Sequence, residues 1–243
     1  MSARMLRCEG ATRAGVAVAW LHGFLGTDAQ WSGVRACETG EGPDLLATLP
    51  GHAGAPWYPA RGCFDGAVEA LSEALSGALS DGHDQRVVLV GYSMGARVAL
   101  ALALRHPEQV RAALLLGVDP GRDDALERAE RRAWDEAQAK QLAAQGLARF
   151  LEGWEALPVF APERSLEAPV RAARRAMRAS HTAEGASWAL RVLGTGSMPP
   201  LGPELGSLCV PVRLLTGSLD ERFTGVARAR RTFAAKHTRA HRR

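Results

Sequence analysis

Three short stretches hold the residue types that could do chemistry. Gly91-Tyr92-Ser93-Met94-Gly95 lies between the apolar run 87–90 and a helical pattern over 96–106. Glycines permit a tight strand-to-helix turn, and such a turn projects its serine at the carboxyl end of a sheet as a nucleophile. The helix N-terminus and the Met94 N–H would favour negative charge developing beside Ser93. The loop Leu21-His22-Gly23-Phe24 follows the run 16–20 and offers the Phe24 N–H as a second oxyanion donor. His22 is expected to be structural or to line the pocket rather than to act as the base, and His52 to be a turn residue. Asp220 stands just past the run 212–217, where a carboxylate would orient an imidazole and stabilise its charged form. Asp119, after the run 112–117, is the second candidate acid; its other reading is a helix cap.

These residues need a scaffold that places loops from separate strands side by side. The runs 16–20, 44–49, 87–90, 112–117 and 212–217 have the length and bounding turns of buried parallel strands. Residues 64–79 and 96–106 show apolar positions at helical spacing between them. This alternation predicts a doubly wound α/β sheet with helices on both faces. From 121 to 196, Arg- and Ala-rich helical patterns replace the strands, which predicts a helical cap over 121–196 inserted into a core of 1–120 and 197–243. The order Ser93 then Asp220 fits the α/β-hydrolase fold.

Composition narrows the function class. A chain of 243 residues with 47% hydrophobic content can build one large α/β domain. Its net charge of +4 is uneven: seven positive charges fall in the last sixteen residues, so the remainder carries −3. That distribution reads as a solvated terminus. Neither aromatic interleaving nor a groove-binding motif accompanies it, so no nucleic-acid partner is expected. Cys8, Cys37, Cys63 and Cys209 lack zinc spacing and read as reduced packing residues. No apolar run reaches the ~18–20 residues of a membrane span, and the start of the chain lacks a signal core; a cytoplasmic location is expected.

The stretches "LHGFLGTDAQW", "LPGHAGAP", "GYSMGARVAL", "FLEGWEALPVFA", "RASHTAEGASWALRVLGTG" and "GSLDERF" occur in this order from Val16 to Phe223. Together they resemble the α/β-hydrolase-fold lyases of menaquinone biosynthesis, the 2-succinyl-6-hydroxy-2,4-cyclohexadiene-1-carboxylate (SHCHC) synthases. The resemblance implies elimination of pyruvate from a small polycarboxylate, with no metal and no organic cofactor. It also implies a substrate site built from Tyr92, Arg97, Arg131, Trp154 and Arg178. Arginine forks suit a substrate bearing three carboxylates better than lysine point charges do. Arg132 beside Arg131, and Arg174 and Arg175 near Arg178, remain competing candidates. A serine ester or C–C-bond hydrolase on the same fold is the alternative reading.

The triad also needs a histidine. His241 follows Asp220 by 21 residues, a spacing that suits it, and is the candidate. Against it, the pattern after Asp220 holds one helix near 225–236 and no strand, and that helix would lead away from Ser93. The last strand and closing helix are therefore expected to be missing or replaced relative to the family. That would make the chain a weak enzyme, an inactive carboxylate binder or a truncated gene product.

Overall fold

Strands whose residues are apolar on both faces have to be covered on both faces, and this requirement explains the centre of the molecule. The computed structural model describes residues 5–10, 15–37, 42–55, 62–79 and 86–217. Within them β1 (Leu6–Glu9), β2 (Val18–Leu21), β3 (Asp44–Ala47), β4 (Val87–Tyr92), β5 (Val110–Leu116) and β6 (Val212–Leu215) form one sheet in the order β1-β3-β2-β4-β5-β6. All neighbours are parallel except β1, which runs antiparallel to β3. Successive residues of β2 and β4 serve opposite faces, as a period of two requires. Ala19, Leu21 and Leu89 join the core under α2 (Phe64–Ala78) and α3 (Met94–Arg105). Trp20 and Val90 pack on the other face with Leu46 and Trp31, and Trp31 directly precedes the short α1 (Ser32–Arg35).

The predicted α/β-hydrolase sheet is therefore present, with differences in detail. β1 was not anticipated, because four residues reading Leu-Arg-Cys-Glu carry too weak an alternation to mark a strand. The four cysteines are free, as expected, yet all are exposed rather than packed. Cys8 lies on the edge strand β1, and the Cys63 thiol accepts the Gly66 N–H at the start of α2.

Between β5 and β6 the chain contains only helices: α4 (Ala125–Glu155), a 3-10 segment (Pro158–Ser165), α5 (Ala168–Ala179), α6 (Ala183–Leu193) and a second 3-10 segment (Pro203–Ser207). Asp124 caps α4 by accepting the Glu127 N–H, and Thr182 caps α6 through Gly185. The long α4 breaks at Gly146, whose φ of 78° is open only to residues tolerating the left-handed region. The Ser187 hydroxyl donates to the Ala139 carbonyl at 3.1 Å and ties α6 to α4. A second core gathers here from Ala139, Leu142, Phe150, Leu151, Ala186 and Leu190. Leu25, from the loop after β2, completes it.

Topology then selects the site. After β2 the chain crosses to β3 on one side, and after β4 it crosses to β5 on the other. The carboxyl ends of β2 and β4 thus flank the point where strand order reverses, the place where open α/β sheets leave a crevice for ligands.

Candidate active site

The register sets Leu21 opposite Gly91, so His22-Gly23 and Tyr92-Ser93 emerge side by side. Ser93 has φ 50° and ψ −107°, a conformation that a non-glycine residue holds only when its surroundings impose it. Two contacts impose it: the Ser93 N–H donates to the Leu116 carbonyl at 2.9 Å, and its own carbonyl accepts the Arg97 N–H at 3.1 Å. The flanking glycines are required by close approach. A Cβ on Gly91 would lie 2.7 Å from the Ala96 Cα, and one on Gly95 would lie 2.3 Å from the Leu21 carbonyl oxygen. Helix α3 thus starts against the backbone of β2, and Met94, its first residue, has an N–H without a carbonyl four residues back inside the helix.

The facing loop is a turn closed by the Gly26 N–H on the Gly23 carbonyl at 2.9 Å. The Phe24 N–H takes no part in that bond. Leu25 holds φ 57° while its side chain is fully buried in the helical core. Burying a leucine contributes about 1.5–3 kcal/mol, enough to offset the ~1–2 kcal/mol cost of the left-handed conformation. His22 holds the turn from behind. Its Nε2 accepts the Leu49 N–H at 3.0 Å, which leaves Nδ1 as the donor to the Gly23 carbonyl at 2.8 Å. Burial pushes its pKa down to about 4, so it stands neutral and occupied at both nitrogens.

Two more histidines continue this wall. His52 is buried, with Nδ1 3.2 Å from the Pro50 carbonyl, and its ring lies 4.9 Å from His22 and 5.3 Å from His181. Burial, with the neighbouring imidazoles, holds its pKa well below the ordinary histidine value. His181 links the helices to the loop: Nδ1 lies 3.1 Å from the Arg178 carbonyl and Nε2 3.1 Å from the Gly26 carbonyl. The Phe24 ring meets His52 at 5.7 Å and Trp154 at 5.1 Å, both edge to face. Tyr92, beside the serine, packs so closely on Gly23 that a Cβ there would lie 2.8 Å from its ring.

The other wall is charged. Arg97, one helical turn past Ser93, is buried, and Nη1 donates to the Leu193 carbonyl at 2.6 Å and approaches the Met198 Sδ at 3.6 Å. Desolvation pushes its pKa down to about 10, which leaves it charged at neutral pH. It feels attraction from Asp119 and Asp135 and repulsion from Arg131. Arg131 donates through Nε to Asp135 at 3.0 Å, and its guanidinium lies 4.6 Å from the centre of the Trp134 ring. Its neighbour Arg132 instead reaches the Gly196 carbonyl. Arg178 has another environment: Nη2 sits 2.8 Å from both oxygens of Glu163, Nη1 lies 3.2 Å from Glu155, and the group covers Phe160 at 4.8 Å. Asp119 accepts the Gly121 N–H at 3.1 Å and serves the turn leaving β5.

The structure thus gathers Phe24 with Trp154 and links Arg131 to the turn that receives Arg97 through Asp135, while pairing Arg178 with carboxylates of the protein itself. Asp220 and His241, like the terminal strand and helix expected to be absent, lie outside the described residues. Among the described residues no cluster of metal-ligating side chains occurs, and no helix is long and apolar enough to cross a membrane. Sequence reading passed over Asp135 and His181. Asp135 looks like one more charge on a solvated helix, and only its position four residues after Arg131 hinted at a pairing.

A model of the alpha/beta hydrolase family matches residues 18–241, a span that contains Ser93, Asp220 and His241. The SHCHC synthase of Serratia proteamaculans (strain 568) is 33% identical over 210 residues, covering 86% of this chain and 79% of that protein. The synthase of Salmonella agona (strain SL483) is 30% identical over 212 residues, with 86% and 79% covered. Among solved structures, MenH from S. aureus aligns with a TM-score of 0.87 at 29% identity, covering 95% of this chain and 86% of that one. A thermophilic esterase from Thermogutta terrifontis aligns with a TM-score of 0.73 at 23% identity over 92% and 80%, a likeness of fold alone.

Proposed function

This chain belongs to the alpha/beta hydrolase family, and we propose that within it the protein is an SHCHC synthase-like lyase of menaquinone biosynthesis. The reaction is elimination of pyruvate from 2-succinyl-5-enolpyruvyl-6-hydroxy-3-cyclohexene-1-carboxylate. The observation that carries the reading is the strained Ser93 at φ 50° with the buried Arg97 one turn beyond it. A hydrolase acting on neutral esters has no need of a guanidinium buried at that position; a substrate bearing three carboxylates does.

In this reading Ser93, activated by an imidazole that Asp220 orients, removes the proton α to the succinyl carbonyl. Spacing makes His241 the candidate for that imidazole, while the pattern after Asp220, one helix and no strand, argues against its return to Ser93. The electron pair released moves toward that carbonyl, whose oxygen takes up negative charge facing the N–H groups of Phe24 and Met94. Collapse of the enolate shifts the ring double bond and breaks the bond to the enolpyruvyl oxygen; the enolate of pyruvate leaves and becomes pyruvate on taking up a proton at its methylene carbon. Arg97 and Arg131 bind substrate carboxylates, while Tyr92 and Trp154 line the pocket. Arg178 joins them only by exchanging Glu163 for substrate. The partner is a small molecule, and a cytoplasmic location is part of this proposal.

The test is pyruvate release from the enolpyruvyl substrate, followed through a coupled lactate dehydrogenase assay. Wild-type protein should release pyruvate, and Ser93→Ala should lower the rate by ~10³-fold or more. Faster turnover of a neutral aryl ester than of the enolpyruvyl compound would replace this reading with a serine hydrolase.

A further inference from the structure

We propose that Asp135 is a positioning residue for substrate recognition: its buried carboxylate holds Arg131 and the turn that seats Arg97, so that both guanidiniums converge on substrate carboxylates. The inference rests on the lyase reading above and names a residue that the resemblance does not supply.

Asp135 lies in the middle of α4 and is 1% exposed. Both of its oxygens are used. Oδ1 accepts from Arg131 Nε at 3.0 Å, and Oδ2 accepts from the Gly196 N–H at 3.2 Å. The turn that Gly196 belongs to is the socket of Arg97: Leu193 supplies the carbonyl that Nη1 binds, and Met198 supplies the sulfur beside it. The turn is folded on itself by the Ser197 and Met198 N–H groups on the Gly194 carbonyl. It also fits tightly against α4. A Cβ on Gly194 would lie 2.5 Å from Asp135 Oδ2, and one on Gly196 would lie 2.3 Å from the Arg132 N. One carboxylate therefore touches both Arg131 and the turn that receives Arg97.

A structural anchor for Gly196 would need only an acceptor, which an amide supplies equally well. The negative charge has a separate use. Two guanidiniums that meet one substrate repel, and a carboxylate shared between their supports offsets that repulsion. By engaging Nε, Asp135 also fixes the Arg131 plane against Trp134 and leaves the Nη edge for a ligand, the edge that pairs with a carboxylate. Arg131 remains a quarter exposed, so it reaches solvent and substrate while its partner does not.

The experiment compares wild type, Asp135→Asn, Arg131→Ala and the double variant in pyruvate release, with calorimetric binding of the same substrate and thermal melting alongside. Asp135→Asn should raise KM and the dissociation constant by ~10-fold while kcat stays within about threefold. The double variant should lose no more affinity than Arg131→Ala alone, because Asp135 acts through the arginine. Asp135→Glu, which keeps the charge but pushes against Gly194, should fall between wild type and Asp135→Asn. A lowered melting temperature with KM unchanged, or additive losses in the double variant, would overturn the proposal. Failure of both Asp135 variants to fold would overturn it too, by assigning the residue to the fold alone. A wild-type chain that neither binds the substrate nor releases pyruvate would instead remove the lyase reading itself.

Discussion

The two walls of the crevice are built from opposite physics. On the β2 side, His22, His52 and His181 are buried with their pKa values depressed, and they hold the Phe24 turn through neutral hydrogen bonds and ring contacts. On the helical side, Arg97, Arg131 and Asp135 are buried or half-buried charges. A neutral wall suits backbone N–H donors, whose pull on a developing enolate is strongest where no competing charge or water intervenes. A charged wall suits a substrate that arrives as a polyanion. In the proposed lyase, reactivity and recognition would thus be held apart, and the two should fail under different insults.

Among the variants that test the two walls, removing the charge of Arg97 should produce the largest effect. Arg97→Ala is expected to lower kcat/KM for pyruvate release by ~10²-fold or more, the scale of losing a charge-assisted contact of ~2–3 kcal/mol. Unchanged kinetics would take Arg97 out of the site and dissolve the distinction between the walls.

Acid should instead attack the neutral wall. Below pH ~6.5 the unfolded chain takes up protons that the folded histidines refuse, so stability falls as pH drops. The depression of His22 from 6.5 to about 4 corresponds to about 3 kcal/mol when fully expressed. His52 and His181 shift in the same direction. Melting temperature should fall by about 10 °C between pH 7.5 and 4.5, at ~2–4 °C per kcal/mol. A flat profile by scanning calorimetry would mean that the three imidazoles are not buried together.

A smaller effect is expected at Arg178, because Glu155 and Glu163 already neutralise it. Arg178→Ala should raise KM less than tenfold, clearly below the loss at Arg97. A loss equal to that of Arg97 would show that Arg178 exchanges its glutamates for substrate during turnover. The smallest effect concerns the tail. If the chain past Asp220 does not return to Ser93, as its pattern suggests, His241→Ala should change pyruvate release less than twofold. Loss of a robust wild-type rate in that variant would make His241 the imidazole and overturn the argument from the pattern.

The local chemistry of this protein is legible in neighbouring residues. An apolar strand, Gly-Tyr-Ser-Met-Gly and a helix pattern together specify a sharp turn, since every requirement of that turn falls on residues adjacent in the chain. Five of the six strands and the helices between them are legible for the same reason, though β5 begins two residues earlier than its pattern suggests and β1 carries too little pattern to be seen. His22 reads as structural rather than as a base, and its two engaged nitrogens agree.

Only the tertiary structure decided which distant residues share an environment. Arg131 and Arg132 are chemically equivalent neighbours, yet packing of α4 on the Leu193–Met198 turn sends one to Asp135 and the other to the Gly196 carbonyl. Asp135 becomes a buried carboxylate, and Arg178 a paired cation, through contacts with residues 61 and 15 positions away. Leu25 adopts a left-handed backbone because a hydrophobic core more than a hundred residues further along the chain receives its side chain. Short-range sterics and turn preferences are written in neighbouring residues; desolvation and charge pairing depend on what long-range packing brings together, and no local spacing encodes that.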